Sequence, residues 1–157
     1  MKYVLEKSIW TEKDFKKMGW HDSNIYGFVI SKFENNEQND LTLDIDYIFQ
    51  WIHPVEIEKY FTFQVAPCTL VFHNVFNLTI DISTGLALVI ELEIDDLEMS
   101  NSKLENLYNF KIVTQQGEIK FESTGFTQYV RKNLQHIDSQ KLSWEQRGGI
   151  SFERTNV

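Results

Sequence analysis

Leu41-Thr42-Leu43-Asp44-Ile45-Asp46-Tyr47-Ile48-Phe49 is the stretch that decides the fold. Leu41, Leu43, Ile45, Tyr47 and Phe49 fall on one side of an extended chain, and Thr42, Asp44 and Asp46 on the other. A period of two belongs to a β-strand, whose successive side chains point to opposite faces. One apolar and one polar row predict an antiparallel strand with a core side and a wet, acidic side.

The neighbouring sequence extends this pattern in both directions. Upstream, residues 25–33 predict a strand with apolar residues on both faces, suited to a central or doubly covered position. Residues 34–40 are polar and turn-prone, and read as a loop. Downstream, Trp51-Ile52-His53-Pro54 breaks the alternation, because the residue before a proline is pushed out of the helical region. Two strands are expected at residues 60–65 and 70–75, interrupted near Ala66-Pro67. Pro67 cannot donate a ladder hydrogen bond and belongs at an edge, bulge or corner. Leu78, Ile80 and Ile82 alternate with Thr79, Asp81 and Ser83. After a turn near Gly85, Leu88, Ile90, Leu92 and Ile94 alternate with Val89, Glu91, Glu93 and Asp95.

Residues 96–107 read as a loop or one irregular turn of helix. Residues 110–114 and 118–122 flank Gln115-Gln116-Gly117 as a hairpin. Phe126, Tyr129 and Val130 either continue the sheet or start a short helix. At the N-terminus, Thr11 and Asp14 have the spacing of a capping box, Trp10 and Phe15 that of a hydrophobic staple. Gly19 is expected to end that helix in the left-handed conformation, folding Trp20 back over Phe15. The fold class is therefore mainly β, with α+β as the alternative: a single antiparallel β-sandwich or partly rolled sheet with a short N-terminal helix. One domain is expected over residues 1–157, with 135–157 as an irregular C-terminal tail.

The 157 residues are 42% hydrophobic and 24% charged, enough for one core and against wholesale disorder. A single cysteine, Cys68, excludes an internal disulfide framework and a cysteine-rich zinc site. The formal charge is −8, and residues 34–98 alone hold thirteen acids against one base, Lys59. That field opposes nucleic acid and anionic membranes, and suits a basic protein partner. No apolar run approaches the roughly 18 residues of a membrane span. The opening Met1-Lys2-Tyr3-Val4-Leu5-Glu6-Lys7 is too polar for a signal-peptide core, which makes the cytoplasm the expected location.

The sequence contains no His-Glu-x-x-His, Cys-x-x-Cys, phosphate-binding glycine loop, dinucleotide fingerprint or serine elbow. His21-Asp22, between a capped helix and a strand, offers an imidazole beside a carboxylate for base or ligand chemistry. Its first reading is structural, Asp22 accepting backbone N–H groups while His21 pins the helix–strand corner; a binding surface is the second. His73, inside an apolar run, is a packed histidine or a catalytic candidate. His21, His53 and His73 could ligate a metal only if the fold brought them together, and no cofactor is implied. Cys68 reads as a packed thiol. The acidic side of the central strand could meet Asp81, Glu91 and Glu93 from neighbouring strands, forming an acidic docking face.

Trp20-His21-Asp22-Ser23-Asn24-Ile25 resembles the Trp/Phe-His-Asp opening of small uncharacterised bacterial β-rich proteins, some assigned as immunity proteins of polymorphic toxin systems. Residues 69–75, then Leu78-Thr79-Ile80-Asp81, are similar to their strand of alternating leucine and phenylalanine, and residues 121–126 to their final core strand. The resemblance spans much of residues 18–130 and implies a domain class without a catalytic residue. The leading expectation is thus an immunity-like binding protein presenting Asp44, Asp46, Asp81, Glu91 and Glu93, with Trp20 nearby as aromatic anchor, to a basic partner such as a toxin domain. The alternatives are a hydrolase or metal-assisted enzyme centred on His21 and Asp22, and a small-molecule carrier with a phenylalanine-lined cavity. A homodimer through an exposed strand edge is a further expectation.

Overall fold

The central strand, Asn39–Ile52, pairs with one neighbour over Asn39–Asp46 and with another over Leu41–Ile52, and the rest of the chain is arranged around it. The computed structural model describes residues 3–32, 38–57, 59–86 and 91–157. In chain order the strands are β1 Ile9–Thr11, β2 Ser23–Lys32, β3 Asn39–Ile52, β4 Thr62–His73, β5 Phe76–Ile82, β6 Leu92–Asn101, β7 Tyr108–Thr114, β8 Gly117–Ser123, β9 Gly125–Val130 and β10 Gln135–Ile137. A 3-10 helix, Glu12–Lys17, follows β1, and a single-turn helix, α1, spans Trp144–Arg147. The strands form one antiparallel sheet in the order β1-β9-β4-β3-β2-β6-β7-β8-β5, with β10 also on β4. The two ends of that order are not joined, so the sheet is open.

Leu41, Leu43, Ile45 and Tyr47 point into the core, as the alternation predicts. Opposite them across the interior lies the β7–β8 half. Phe72 on β4 meets Phe110 on β7 at 5.0 Å and Phe121 on β8 at 4.7 Å between ring centroids. In a flat sheet β4 and β7, four strand spacings apart, would be separated by roughly 19 Å. The two halves therefore face each other as layers. The crossing points are corners: β4 passes into β5 through Asn74, at φ 53°, and β8 passes into β9 through Thr124. Ser123 Oγ and the Thr124 N–H both donate to the His73 carbonyl, at 2.6 and 3.1 Å, which fixes the two corners together.

Several expectations need correction. The two strands expected at residues 60–65 and 70–75 are one strand, β4. Pro67 is tolerated inside it because β9 pairs with Cys68–His73 and β10 with Phe63–Val65, so Pro67 faces the gap between them. Its carbonyl there accepts the Arg131 N–H at 3.0 Å. Of the expected loop 96–107, residues 96–101 are strand and 102–107 are the loop: a one-residue bulge between Ile94 and Asp96 shifts the phase, so Ile94 and Leu97 are both buried. Residues 126–130 are strand, and the 114–117 hairpin is present.

The N-terminal helix keeps its capping box, Thr11 with Asp14, but is of 3-10 type and ends at Met18 in an extended conformation, without a left-handed glycine. Gly19 instead donates its N–H to the Tyr47 hydroxyl at 3.0 Å. Trp20 does stack on Phe15, at 5.5 Å. Residues 33–37 of the expected first strand and loop, and 88–90 of the strand after Gly85, lie outside the described residues.

Residues 138–157, without regular structure apart from α1, form a strap laid across the outer face of β2, β3, β4 and β9. Gln140 reaches Asp22, the Leu142 N–H reaches Asp46, and Phe152 lies over Gly27. The Glu153 carbonyl accepts from Thr69, and the Val157 N–H donates to the Val130 carbonyl.

Candidate functional site

The even-numbered side of β3 was expected to be wet. Asp44 and Asp46 are instead fully buried, at 0% exposure, beneath the strap. Asp44 accepts from Arg131 at 2.6 Å, from both terminal nitrogens of Arg147 at 2.8 and 2.9 Å, and from the Ser151 N–H at 3.0 Å. Asp46 accepts from the Tyr26 hydroxyl at 2.8 Å, the Leu142 N–H at 2.9 Å and Arg147 Nε at 3.3 Å. Burial pushes the Asp46 carboxyl up, while Leu142 and Arg147 pull it down. Arg147 is capped by the Tyr26 ring, 3.5 Å away, and also donates to the Gly149 carbonyl. Further along β3, Asp40 holds Arg154 at 2.7 Å. Buried carboxylates need such partners, because an ion out of water without a counter-ion is very costly. Asp44 and Asp46 are thereby removed from any docking face.

The other proposed binding residues are scattered. Trp20 is in the core, donating Nε1–H to Gln128 at 2.8 Å. Asp81 lies exposed on β5 at the far end of the sheet, paired in register with Glu118. Glu91 is ion-paired with Lys141. Glu93 is half-buried, and its carboxyl is pushed up first by burial and then by the neighbouring charges of Asp22 and Glu91.

Around Glu93 a surface does assemble. His21 Nε2 lies 3.5 Å from Asp22, and Nδ1 lies 3.0 Å from the Asp95 carbonyl. That carbonyl bond, then the carboxylates of Asp22, Asp95 and Asp96, hold the imidazole above its ordinary value despite partial desolvation. The His21 ring stacks on Trp51 at 6.3 Å, Trp51 meets Phe61 at 6.1 Å, and Phe61 meets His53 at 4.8 Å. Asp22 sits at φ 64°, with its side chain held by Gln140 at 2.8 Å.

His73 is elsewhere, eleven residues along β4 from Thr62, a distance of roughly 35 Å in an extended strand. His53, just beyond the β3 end that pairs with Thr62, cannot share a metal with it. Among the described residues no group of three or more histidine, cysteine or carboxylate side chains is placed to hold a metal. His73 lies in a polar cleft, with Nε2 and Thr127 Oγ1 sharing a 2.8 Å hydrogen bond and Nδ1 3.8 Å from Asp40. Burial lowers its proton affinity, against the pull of Asp40. Cys68 is fully buried, which pushes its thiol up and leaves it a core side chain. Phe72, Phe110, Phe121 and Phe126 pack ring on ring at 4.7–6.1 Å, filling the space a phenylalanine-lined cavity would need.

Sequence reasoning missed the arginines. The chain has three, Arg131, Arg147 and Arg154, and each ends on an aspartate of β3. The available signal was their confinement to the last 27 residues, after an acidic middle segment, since arginine is the cation suited to forked pairing with carboxylates. Comparison with known proteins gives no matching family model, no matching curated protein and no matching solved structure. Among the described residues no helix is long and apolar enough to cross a membrane.

Proposed function

We propose that the protein is a small protein-binding module of immunity-like type, docking a basic partner on the surface where Trp51, Phe61 and His53 meet Asp22, Glu93 and Asp95. The observation that carries this reading is the exposed apolar group at the β3–β4 connection: Val55 is 66%, Ile57 94% and Tyr60 79% exposed, beside partly exposed Trp51 and Phe61. Apolar side chains gathered at one exposed end mark interaction sites more often than scattered ones do. Aromatic anchors carry most of the affinity of such interfaces, and flanking carboxylates steer an oppositely charged partner. A toxin domain with a basic surface, met in the cytoplasm, is the partner class. The net charge of −8 disfavours nucleic acid and anionic membranes for the same reason that it favours a cationic protein.

The test is affinity capture on the full chain, using lysate of its native cells at low and high salt. The wild type is compared with Trp51→Ala/Phe61→Ala and with Glu93→Lys/Asp95→Lys. One basic protein should be recovered stoichiometrically, released by salt, and lost from both variants. Equal recovery by all three chains would place the interface elsewhere. A second copy recovered in its place, seen as a dimer in sedimentation, would make this surface a self-association site.

A further inference from the structure

A second site lies away from that surface, at the corner where β4 meets β9. It is an open cleft of about 490 Å³ whose walls include Glu12, Lys13, Asp40, His73, Thr127 and Arg154. Ligand sites of this size commonly hold a small molecule. The lining is polar and its charges are mixed, which narrows what can bind. Asp40, 2% exposed, is already engaged by Arg154 at 2.7 Å and by the Asn74 N–H at 3.0 Å, so it is part of the wall. His73 and Thr127 hold each other at 2.8 Å on the floor.

Glu12 is different. Its carboxylate lies flat over Gly125, where a Cβ would come within 2.6 Å of it, and accepts one long hydrogen bond, 3.3 Å from the Phe126 N–H. A carboxylate has capacity for about four hydrogen bonds. The adjacent Lys13 ammonium is exposed and makes no ion pair among the described residues. A simple anion on Lys13 would meet the carboxylate of Glu12, and a simple cation on Glu12 would meet the ammonium of Lys13. A ligand carrying both charges satisfies both sides. From this arrangement we infer that the cleft binds a small zwitterion of the amino-acid class, its ammonium on Glu12 and its carboxylate on Lys13, with His73 and Thr127 facing the remainder.

The experiment is isothermal titration of the full chain with each proteinogenic amino acid, and with ethylamine and acetate as single-charge controls. At least one amino acid should bind with Kd on the order of 1 mM or tighter, and both controls at least about tenfold more weakly. Glu12→Gln should weaken that binding about tenfold, the typical worth of a hydrogen bond to a charged group. Lys13→Met, at an exposed position, tests the other charge should Glu12→Gln disturb folding, and should weaken binding by a similar factor. No amino acid binding more tightly than the controls, or binding unchanged in Lys13→Met, would overturn the assignment. Neither variant touches the Trp51 surface, so capture of a protein partner is expected to survive both.

Discussion

Arg147 carries its guanidinium with no solvent contact, between Asp44 and Asp46 and against the face of Tyr26. Its planar fork grips Asp44 with two parallel hydrogen bonds while Nε reaches Asp46, a bidentate geometry that the point charge of a lysine ammonium does not reproduce. Arg147→Ala would leave two carboxylates buried with only Arg131 as cation, and should destabilise the protein by about 3–5 kcal/mol in urea unfolding. A loss under about 1 kcal/mol would mean the carboxylates are hydrated or protonated instead. The histidines separate on pH. His21 is held above the ordinary 6.5 and His73 below it. The folded state therefore binds the His21 proton more tightly than the unfolded chain does. That stabilisation is present below about pH 6.5 and is lost as the pH rises through the folded value. For His73 the sign reverses: stability is retained above about pH 6.5 and falls as acid protonates the unfolded chain first. Because His21 is largely exposed, its share is small. An NMR titration of the imidazole C–H signals should place the His21 midpoint above free histidine and the His73 midpoint below it. Midpoints that both coincide with free histidine would refute both assignments.

At the scale of elements, period-two alternation made β3 legible from Leu41 to Tyr47, because the inner row is uniformly apolar. It failed in the second half of β6. The bulge between Ile94 and Asp96 hid the second half of β6, since apolar residues on either side of it change phase. Another, between Ile48 and Gln50, turns odd-numbered Trp51 onto the even-numbered side of β3 opposite Phe63, while Ile48 stays on that side with Phe63, Val65 and Leu142 in a separate small core cluster. Pro67 was read as an interruption because the local rule holds, while the gap that satisfies it is made by β9 and β10, more than sixty residues later. The polar row of β3 was misread for a similar reason. Alternation says that two faces differ in chemistry, but not whether water or another segment covers the second. The candidate sites were only partly legible. His21 and Asp22 were singled out from sequence, but Trp51, Phe61 and Glu12 acquire meaning only from neighbours distant in the chain.

The whole molecule is thus three layers over part of its area: the β7–β8 half, the β3–β4 half, and the strap. The strap contributes Arg147 and Arg154, together with Leu142 and Phe152 as cover. Deleting residues 138–157 would open Asp40, Asp44 and Asp46 to water and strip the outer side of β3. The shortened chain should lose its cooperative urea transition or show a much lower midpoint, with rapid proteolysis in β2 and β3. An unchanged midpoint would show that the strap is dispensable. Chain order also gives this cover a timing. Arg147 lies 103 residues after Asp44, and Arg154 lies 114 after Asp40. At about 5–20 residues per second, roughly 5–20 seconds separate the making of the β3 carboxylates from the making of Arg147 and Arg154. During that interval the acid of β3 has neither arginine to neutralise it, so the strap can only close over it after Arg147 and Arg154 are made.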